Sequence, residues 1–310
     1  MTYASGGLIQ ASDYNGFAGG SAGANVSGQI NTVLATGQGN AGYGQTAVSN
    51  VSAATTVTAA QWASLINAVN RVRKHQSGAG YANLTVPTAG TTITFISTLS
   101  STLTTAYSTR LTGTNSGTTS FNRGLTISGS AGVAVGPSGT TFTCTFGSVD
   151  QCRYFFNAGG YLQLSYNSST NTGGTARGTS LVTLTQTNFS SKNMFANSFG
   201  TRAGAGGTVV TDTTTLGYYG QSTTETARLR INSTSYYSGD YFEMRVYTNG
   251  TAGSYGGNGN IVYILPYLYS AATGATQPAD SINVNIVFTV TAFYPATTHL
   301  TNSWGTVTIT

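Results

Sequence analysis

The sequence is short of charged side chains. It has 12 Lys and Arg and 7 Asp and Glu among 310 residues, so 6% of the chain is charged, whereas an average soluble domain has about 25%. This scarcity argues against an ordinary cytosolic enzyme and against a long helical bundle or coiled coil. The net charge of +5 reflects few acids rather than many bases. Because the bases are scattered, we expect no nucleic-acid partner.

Long apolar runs and clustered metal ligands are also missing. No stretch approaches the roughly 18 apolar residues of a membrane span, so we expect no membrane-spanning segment. Residues 1–7 have neither a basic segment nor an apolar core, and we therefore expect no secretion signal. The two His and two Cys lack the spacing of a zinc site. We expect no metal and no cofactor.

Glycine, hydroxyl residues and tyrosine are abundant instead. The chain has 41 Gly, 19 Tyr and 13 Phe, and 39% of it is hydrophobic. Disordered chains are rich in charge and poor in aromatic residues, so this composition predicts a folded protein. The Thr content favours β structure with a neutral, hydroxylated surface.

Residues 1–80 carry the clearest helical signal. Residues 58–61 form a capping box, and a single stripe at helical spacing follows: Trp62, Leu65, Ile66, Val69 and Val72. Basic residues suited to the helix dipole close it: Arg71, Arg73, Lys74 and His75. We predict a helix over residues 59–76 and two shorter ones near residues 12–17 and 27–34. We expect residues 1–80 to dock and assemble the protein, with the stripe as the assembly interface.

Residues 81–119 form a connecting segment. Ile96, Leu99, Leu103 and Tyr107 have helical spacing, but the intervening Thr and Ser favour strands. We predict a short helix here.

Residues 120–310 show a β pattern. Apolar and polar residues alternate with period two over residues 282–292 and 242–247, and Gly-rich turns separate such runs. The fold class predicted is mainly β, with an antiparallel β-sandwich or jelly-roll-like domain after the helical region. Pro266 predicts an edge or bulged strand.

Cys144 and Cys152 flank a turn around Gly147. Their apolar neighbours share their parity, so we expect both thiols to point into the core across a hairpin. Reduced thiols are favoured without a secretion signal. A disulfide between the two cysteines remains the alternative, and it would require their Cα atoms to lie within about 7 Å of each other.

The few acids offer one pair for glycoside hydrolysis, Asp212 and Glu225. A simpler interpretation places Asp212 and Asp240 in turns, and Glu225 and Glu243 on strand surfaces. We therefore expect no catalytic residues and no enzyme.

Tyrosine is the remaining candidate for recognition, because its ring offers apolar area together with a hydroxyl. The predicted surface-recognition residues are Tyr218, Tyr219, Tyr236 and Tyr237, and a second group is Tyr263, Tyr267 and Tyr269. The alternative is that these rings pack within and across strands.

An ordered set of short segments resembles virion structural proteins of tailed phages, especially contractile-tailed phages of marine and cyanobacterial hosts. The segments are residues 9–15, 30–33, 42–45, 57–62, 75–76, a hairpin-like element at 153–162 and a closing element at 303–305. The resemblance implies a tail, baseplate, collar or fibre component that is made in the host cytoplasm and located in the virion. It implies no catalysis. Its expected partners are copies of itself, in a trimer or ring, and other virion proteins.

Two further functions compete with this expectation. A carbohydrate-binding β module or adhesin that recognises a host surface glycan fits the tyrosine content and the β pattern. A glycan-degrading tailspike would need more acids than the 7 present.

Overall fold

The computed structural model describes residues 10–19, 26–35, 41–90, 92–129, 138–234, 237–252, 258–271 and 280–310. Its α-helices are α1 (Ala11–Ala18), α2 (Ile30–Leu34), α3 (Ala59–Ser77), α4 (Ile96–Ser108), α5 (Val149–Asn157) and α6 (Ala176–Thr183). A π-helical turn, Leu184–Phe189, continues α6, and 3-10 turns lie at Gly78–Gly80 and Tyr218–Gly220.

The strands form two antiparallel sheets, so the prediction of a mainly β protein is confirmed. The strands are β1 (Asn115–Gly129), β2 (Ser138–Gly139), β3 (Phe142–Thr145), β4 (Tyr161–Asn171), β5 (Ser191–Met194), β6 (Thr208–Asp212), β7 (Thr226–Asn232), β8 (Tyr241–Thr248), β9 (Ile261–Tyr269), β10 (Ile282–Pro295) and β11 (Thr308–Ile309). The four-stranded sheet has the order β1-β10-β4-β5. The seven-stranded sheet has the order β11-β3-β9-β8-β7-β6, with β2 also paired to β9.

Aromatic rings join the buried sides of the two sheets. Phe242 on β8 stacks on Phe288 on β10, with ring centroids 5.5 Å apart. Phe189 contacts both rings. One apolar cluster runs from α1 to β11, so helices and sheets share a single core.

Helix α3 confirms the capping box. The Gln61 amide donates to Thr58 Oγ1 at 3.3 Å, and the Thr58 amide donates to Gln61 Oε1 at 2.8 Å. The helix ends at Gly78, whose φ of +64° suits glycine.

The apolar stripe of α3 belongs to the core, which corrects its assignment as an assembly interface. Its residues are all 2% exposed or less: Trp62, Leu65, Ile66, Val69 and Val72. The Trp62 ring lies 5.4 Å from Tyr14 of α1 and 6.1 Å from Phe95, next to α4. An amphipathic pattern shows that a face is covered, and here the chain's own helices cover it.

Irregular segments are held by side-chain amides that bind both backbone groups of one residue. Asn31 accepts from the Val48 amide and donates to its carbonyl, both at 2.8 Å. The same double contact joins three more pairs: Asn15 to Val51, Asn70 to Leu84, and Gln45 to Thr301. We call these four contacts amide clamps. Each one gives coil backbone the partners that a neighbouring strand would supply.

Hydrogen bonds cross the predicted boundaries at residues 80 and 120. Gln45 binds Thr301, Tyr43 donates to the Arg110 carbonyl at 2.7 Å, and Asn157 donates to the Ala41 carbonyl at 2.8 Å. The three-part division of the chain stays a prediction, and its parts are in contact.

The region around the cysteines differs from the predicted hairpin. Cys144 lies on β3 and Cys152 on helix α5, which begins where Ser148 Oγ accepts from the Gln151 amide at 3.1 Å. Residues 152–156 are all buried, and a run buried on every side has no period to distinguish helix from strand. Both thiols are buried and unpaired. Burial raises the pKa of Cys144 to about 12.

Two other expectations about strands and helices have clear outcomes. Helix α4 confirms the predicted short helix, and the β pattern starts at Asn115 of β1, slightly earlier than residue 120. Pro266 lies in an interior strand, not at an edge. It lies between the part of β9 that pairs with β3 and the part that pairs with β2. Proline has no amide hydrogen to donate, but β9 has no paired residue on that side at this position, so no inter-strand hydrogen bond is lost there.

His75 is neutral and buried, rather than a positive charge at the end of α3. Its Nε2 lies 2.8 Å from the Ala158 carbonyl, and burial lowers the pKa of its imidazole below 6.5. A Cβ at Gly113 would lie 2.3 Å from that carbonyl oxygen. This position therefore requires glycine.

Replacing Asn31 with Asp should lower the free energy of unfolding by about 2–4 kcal/mol. The carboxylate would lose the donor to the Val48 carbonyl and bury a charge. Urea denaturation measures the change. Asn283→Asp, at an exposed position of β10, is the matched control, and equal losses in both variants would contradict the clamp.

The burial of neutral His75 should make the protein less stable in mild acid. The unfolded chain takes up a proton near pH 6.5 while the folded chain resists it, so stability falls as the pH drops below about 6.5. The His75 contribution reaches at most about 1.4 kcal/mol per pH unit. Urea denaturation at several pH values should show a shallower slope of stability against pH for His75→Gln than for wild type. Equal slopes would show that His75 is not the cause of the loss of stability in acid.

Candidate functional site

The predicted recognition tyrosines that the structure describes make internal contacts. Tyr218 is fully buried and donates to the Gly259 carbonyl at 2.7 Å. Tyr219 donates to Asn157 Oδ1 at 2.8 Å, and Tyr237 is buried and donates to Asp280 Oδ2 at 2.6 Å. Tyr236 lies outside the described residues. Surface recognition by Tyr218 and Tyr237 is therefore wrong, because both rings are buried in the core.

The outward side of β7, β8 and β9 carries the second tyrosine group together with paired charges. We call it the tyrosine–arginine face, and its residues are Tyr241, Tyr247, Tyr263, Tyr267, Tyr269, Arg230, Arg245, Glu225 and Glu243. The strand register places Tyr241 opposite Tyr269 and Tyr247 opposite Tyr263. Their rings stack at 4.8 and 4.3 Å. The rings are half-buried against one another, so they present fixed edges and hydroxyls.

The charges of this face neutralise one another. Arg245 donates to Glu243 at 2.6 Å and to Glu225 at 2.9 Å, and its guanidinium lies 3.9 Å from the centre of the Tyr267 ring. Arg230 lies 3.8 Å from the Tyr241 ring centre and 3.5 Å from Glu243. Two positive and two negative groups leave the face without net charge. Glu243 lies on the outward side of β8, as predicted, and its neighbours in this network bury it.

Strand β6 lies at the edge of the sheet that carries this face. Among the described strands it pairs only with β7, and Val209 and Val210 are 44% and 55% exposed. An apolar edge strand of this kind is a template for pairing with another chain.

The outward side of the four-stranded sheet has a different character. We call it the neutral face. Its rows across the strands are Thr126 and Asn285; Gly124 and Val287; Asn122, Thr289, Ser165 and Ser191; Ser120, Thr291, Gln163 and Asn193; and Thr118, Phe293 and Tyr161. The four strands contain two charged residues, Arg123 and Lys192. Arg123 bonds to Thr141 between the sheets, and Lys192 is buried. No charged side chain of these strands lies on the neutral face.

Hydrogen bonds hold the amides of the neutral face. Thr289 donates to Asn122 Oδ1 at 2.6 Å and accepts from Asn167 Nδ2 at 3.0 Å. Gln163 donates to Asn193 at 2.8 Å. Tyr161 and Phe293 stack at 4.4 Å, and Phe195 lies 5.1 Å from Tyr161. The face combines oriented amides with an aromatic end.

Asp240 and Asp212 are bound to bases. Asp240 is fully buried, and its carboxylate accepts hydrogen bonds from Arg177 Nη2 at 2.7 Å and from Arg177 Nε at 3.1 Å. Asp212 is 2.5 Å from buried Lys192, and Glu225 bonds to Arg245. Asp212 and Glu225 are thus each occupied by a different base, which argues against their working as a hydrolytic pair.

An open groove of about 450 Å³ lies between α1 and α3, lined in part by Tyr14, Ser49, Gln61 and Arg71. Its lining contains no carboxylate, imidazole or thiol. In the described part of the chain, no cluster of three or more His, Cys, Asp or Glu could hold a metal ion. Across the same residues, every helix is too short or too polar to cross a membrane.

Comparisons with family models, curated proteins and solved structures find no match for this chain. Its functional interpretation therefore rests on its own geometry.

Replacing Asp240 with Asn should destabilise the protein by about 3–5 kcal/mol, because Arg177 would stay buried without its counter-charge. Glu225→Gln is the matched control. That carboxylate is 39% exposed, so its loss should cost at most about 1 kcal/mol. Urea denaturation of both variants tests the difference, and a loss below 1 kcal/mol for Asp240→Asn would contradict it.

Proposed function

We propose that this chain is a non-enzymatic structural protein of a bacteriophage particle, in its tail, baseplate, collar or fibre apparatus. The observation that carries the proposal is the tyrosine–arginine face. Tyr and Arg are enriched among the residues that dominate protein interfaces. The face has no net charge, so two copies can approach without repulsion.

Copies of the chain are the proposed first partners of this face, in a trimer or ring. Strand β6 borders this face, and its edge is available for pairing with a strand of a partner copy. Other virion proteins would complete the assembly. The stripe of α3 plays no part in this proposal, because it is buried within the chain.

The proposed finer architecture is a β-sandwich preceded by the helical region. The contacts of Phe189, Phe242 and Phe288 support it, because they join the inner sides of the two sheets. A sandwich leaves two broad outer faces available for partners.

A carbohydrate-binding β module is the second candidate function. The observation that favours it is the neutral face, whose amides, hydroxyls and aromatic rings suit sugar hydroxyls and apolar ring faces. The two functions are compatible within one particle component.

The double variant Tyr247→Ser/Tyr263→Ser should weaken self-association at least tenfold, because it removes one stacked pair of potential interface anchors. Analytical ultracentrifugation measures the oligomer, and thermal unfolding verifies the fold. Asn122→Asp, on the neutral face, is the control and should leave assembly unchanged.

Two results would contradict the structural proposal. The first is a wild-type chain that stays monomeric at every concentration tested. The second is its absence from purified particles by mass spectrometry.

A further inference from the structure

We infer that the neutral face binds an uncharged glycan chain. This inference deepens the second candidate function, and it is independent of assembly through the tyrosine–arginine face. It starts from the position of the surface. The neutral face is the outward side of a sheet whose inner side, including Leu164, Ile286 and Phe288, packs in the core. No described element of the chain covers its exposed β1 residues, among them Asn122 and Thr126.

Charge selects the class of ligand. Surfaces of soluble proteins usually mix both signs of charge, but this face has none over four strands. A phosphate, sulfate or carboxylate bound here would lose water without gaining a counter-ion, which is costly. The face therefore disfavours nucleic acids, anionic lipids and acidic polysaccharides. Uncharged sugars do not carry this cost.

Hydrogen bonding matches the chemistry of sugar hydroxyls. Amide and hydroxyl side chains both donate and accept, as sugar hydroxyls do. Thr289 lies between Asn122 and Asn167 and bonds to both, and Gln163 is fixed by Asn193. These bonds hold the amides before a ligand arrives, so binding orders few side chains.

The aromatic end supplies an apolar contact. The rings of Tyr161, Phe293 and Phe195 form a row at one end of the polar rows. Such rings bury apolar area at a small entropy cost, and the C–H side of a sugar ring offers a matching surface. The row from Phe293 to Asn283 on β10 covers about 34 Å at about 3.4 Å per residue. That length favours a polymer over a single sugar.

A second copy of the chain fits this face less well. Tight protein interfaces depend on central apolar or aromatic anchors, and the aromatic rings here lie at one end. Apart from Gly124 and Val287, the central rows contain Asn, Gln, Ser and Thr. We therefore assign self-association to the tyrosine–arginine face.

The test uses the full-length protein and an array of uncharged glucans, mannans and galactans. Alginate, heparin and chondroitin sulfate serve as anionic probes. The expected result is binding to at least one uncharged polymer and to none of the anionic ones. This binding should change less than twofold between low and high salt, because screening acts on charges. Exclusive binding to anionic probes, or to no glycan, would overturn the inference.

Two variants locate the site. Asn122→Asp adds a charge with almost no change of shape, and Tyr161→Ala removes the central ring of the aromatic row. Each should weaken binding to the uncharged polymer at least tenfold. Asn67→Asp, at an exposed position of α3 that belongs to neither face, is the matched control and should bind as wild type does. Circular dichroism and thermal unfolding exclude loss of fold.

The outcomes separate this inference from the proposed functions. If neither variant weakened glycan binding, the protein would still be a glycan-binding adhesin, but the neutral face would not be its binding site. A changed oligomeric state in Asn122→Asp would make the face an interface between copies. Intact assembly without glycan binding would overturn this inference and leave the structural proposal standing.

Discussion

The structure depends on neutral amide side chains that satisfy buried backbone groups. A chain with 6% charged residues has few salt bridges to hold its coil segments. The amide clamps replace them: Asn31, Asn70 and Gln45 each bind both backbone groups of a distant residue. An unpaired peptide group inside a protein is costly. The clamps therefore allow long irregular segments to pack against helices without regular secondary structure.

The scarce charges are concentrated, and their distribution gives the two outer faces different chemistry. Arg177 with Asp240 and Lys192 with Asp212 lie largely inside, where an intact pair is tolerated and a broken one is costly. Arg230, Arg245 and their glutamates compensate one another on the seven-stranded sheet. The four-stranded sheet has no charge left on its outward side. The same low charge thus underlies both proposals, assembly through a face without net charge and binding of an uncharged glycan.

Local signals predicted part of this structure, and non-local contacts explain the rest. The bounds of α3 were predictable to within one residue, because a capping box and Gly78 are adjacent in sequence. Helix α5 was mistaken for a strand because residues 152–156 are buried on all sides. Among the tyrosines, Tyr218 and Tyr263 were both predicted as candidates for surface recognition. Strand pairing made Tyr263 part of an outer face, while a 3-10 turn placed Tyr218 inside.

Composition and periodicity established a charge-poor, β-rich chain with a capped amphipathic helix, because these properties depend on composition or on residues within a few positions of each other. The same information could not show what covers each apolar stripe or which acid meets which base. The stripe from Trp62 to Val72 would look the same facing a partner or facing α1 and α4. The neutral face exists because antiparallel register aligns uncharged residues from β1, β10, β4 and β5. Register is a property of strands far apart in sequence, and only the tertiary structure decides it.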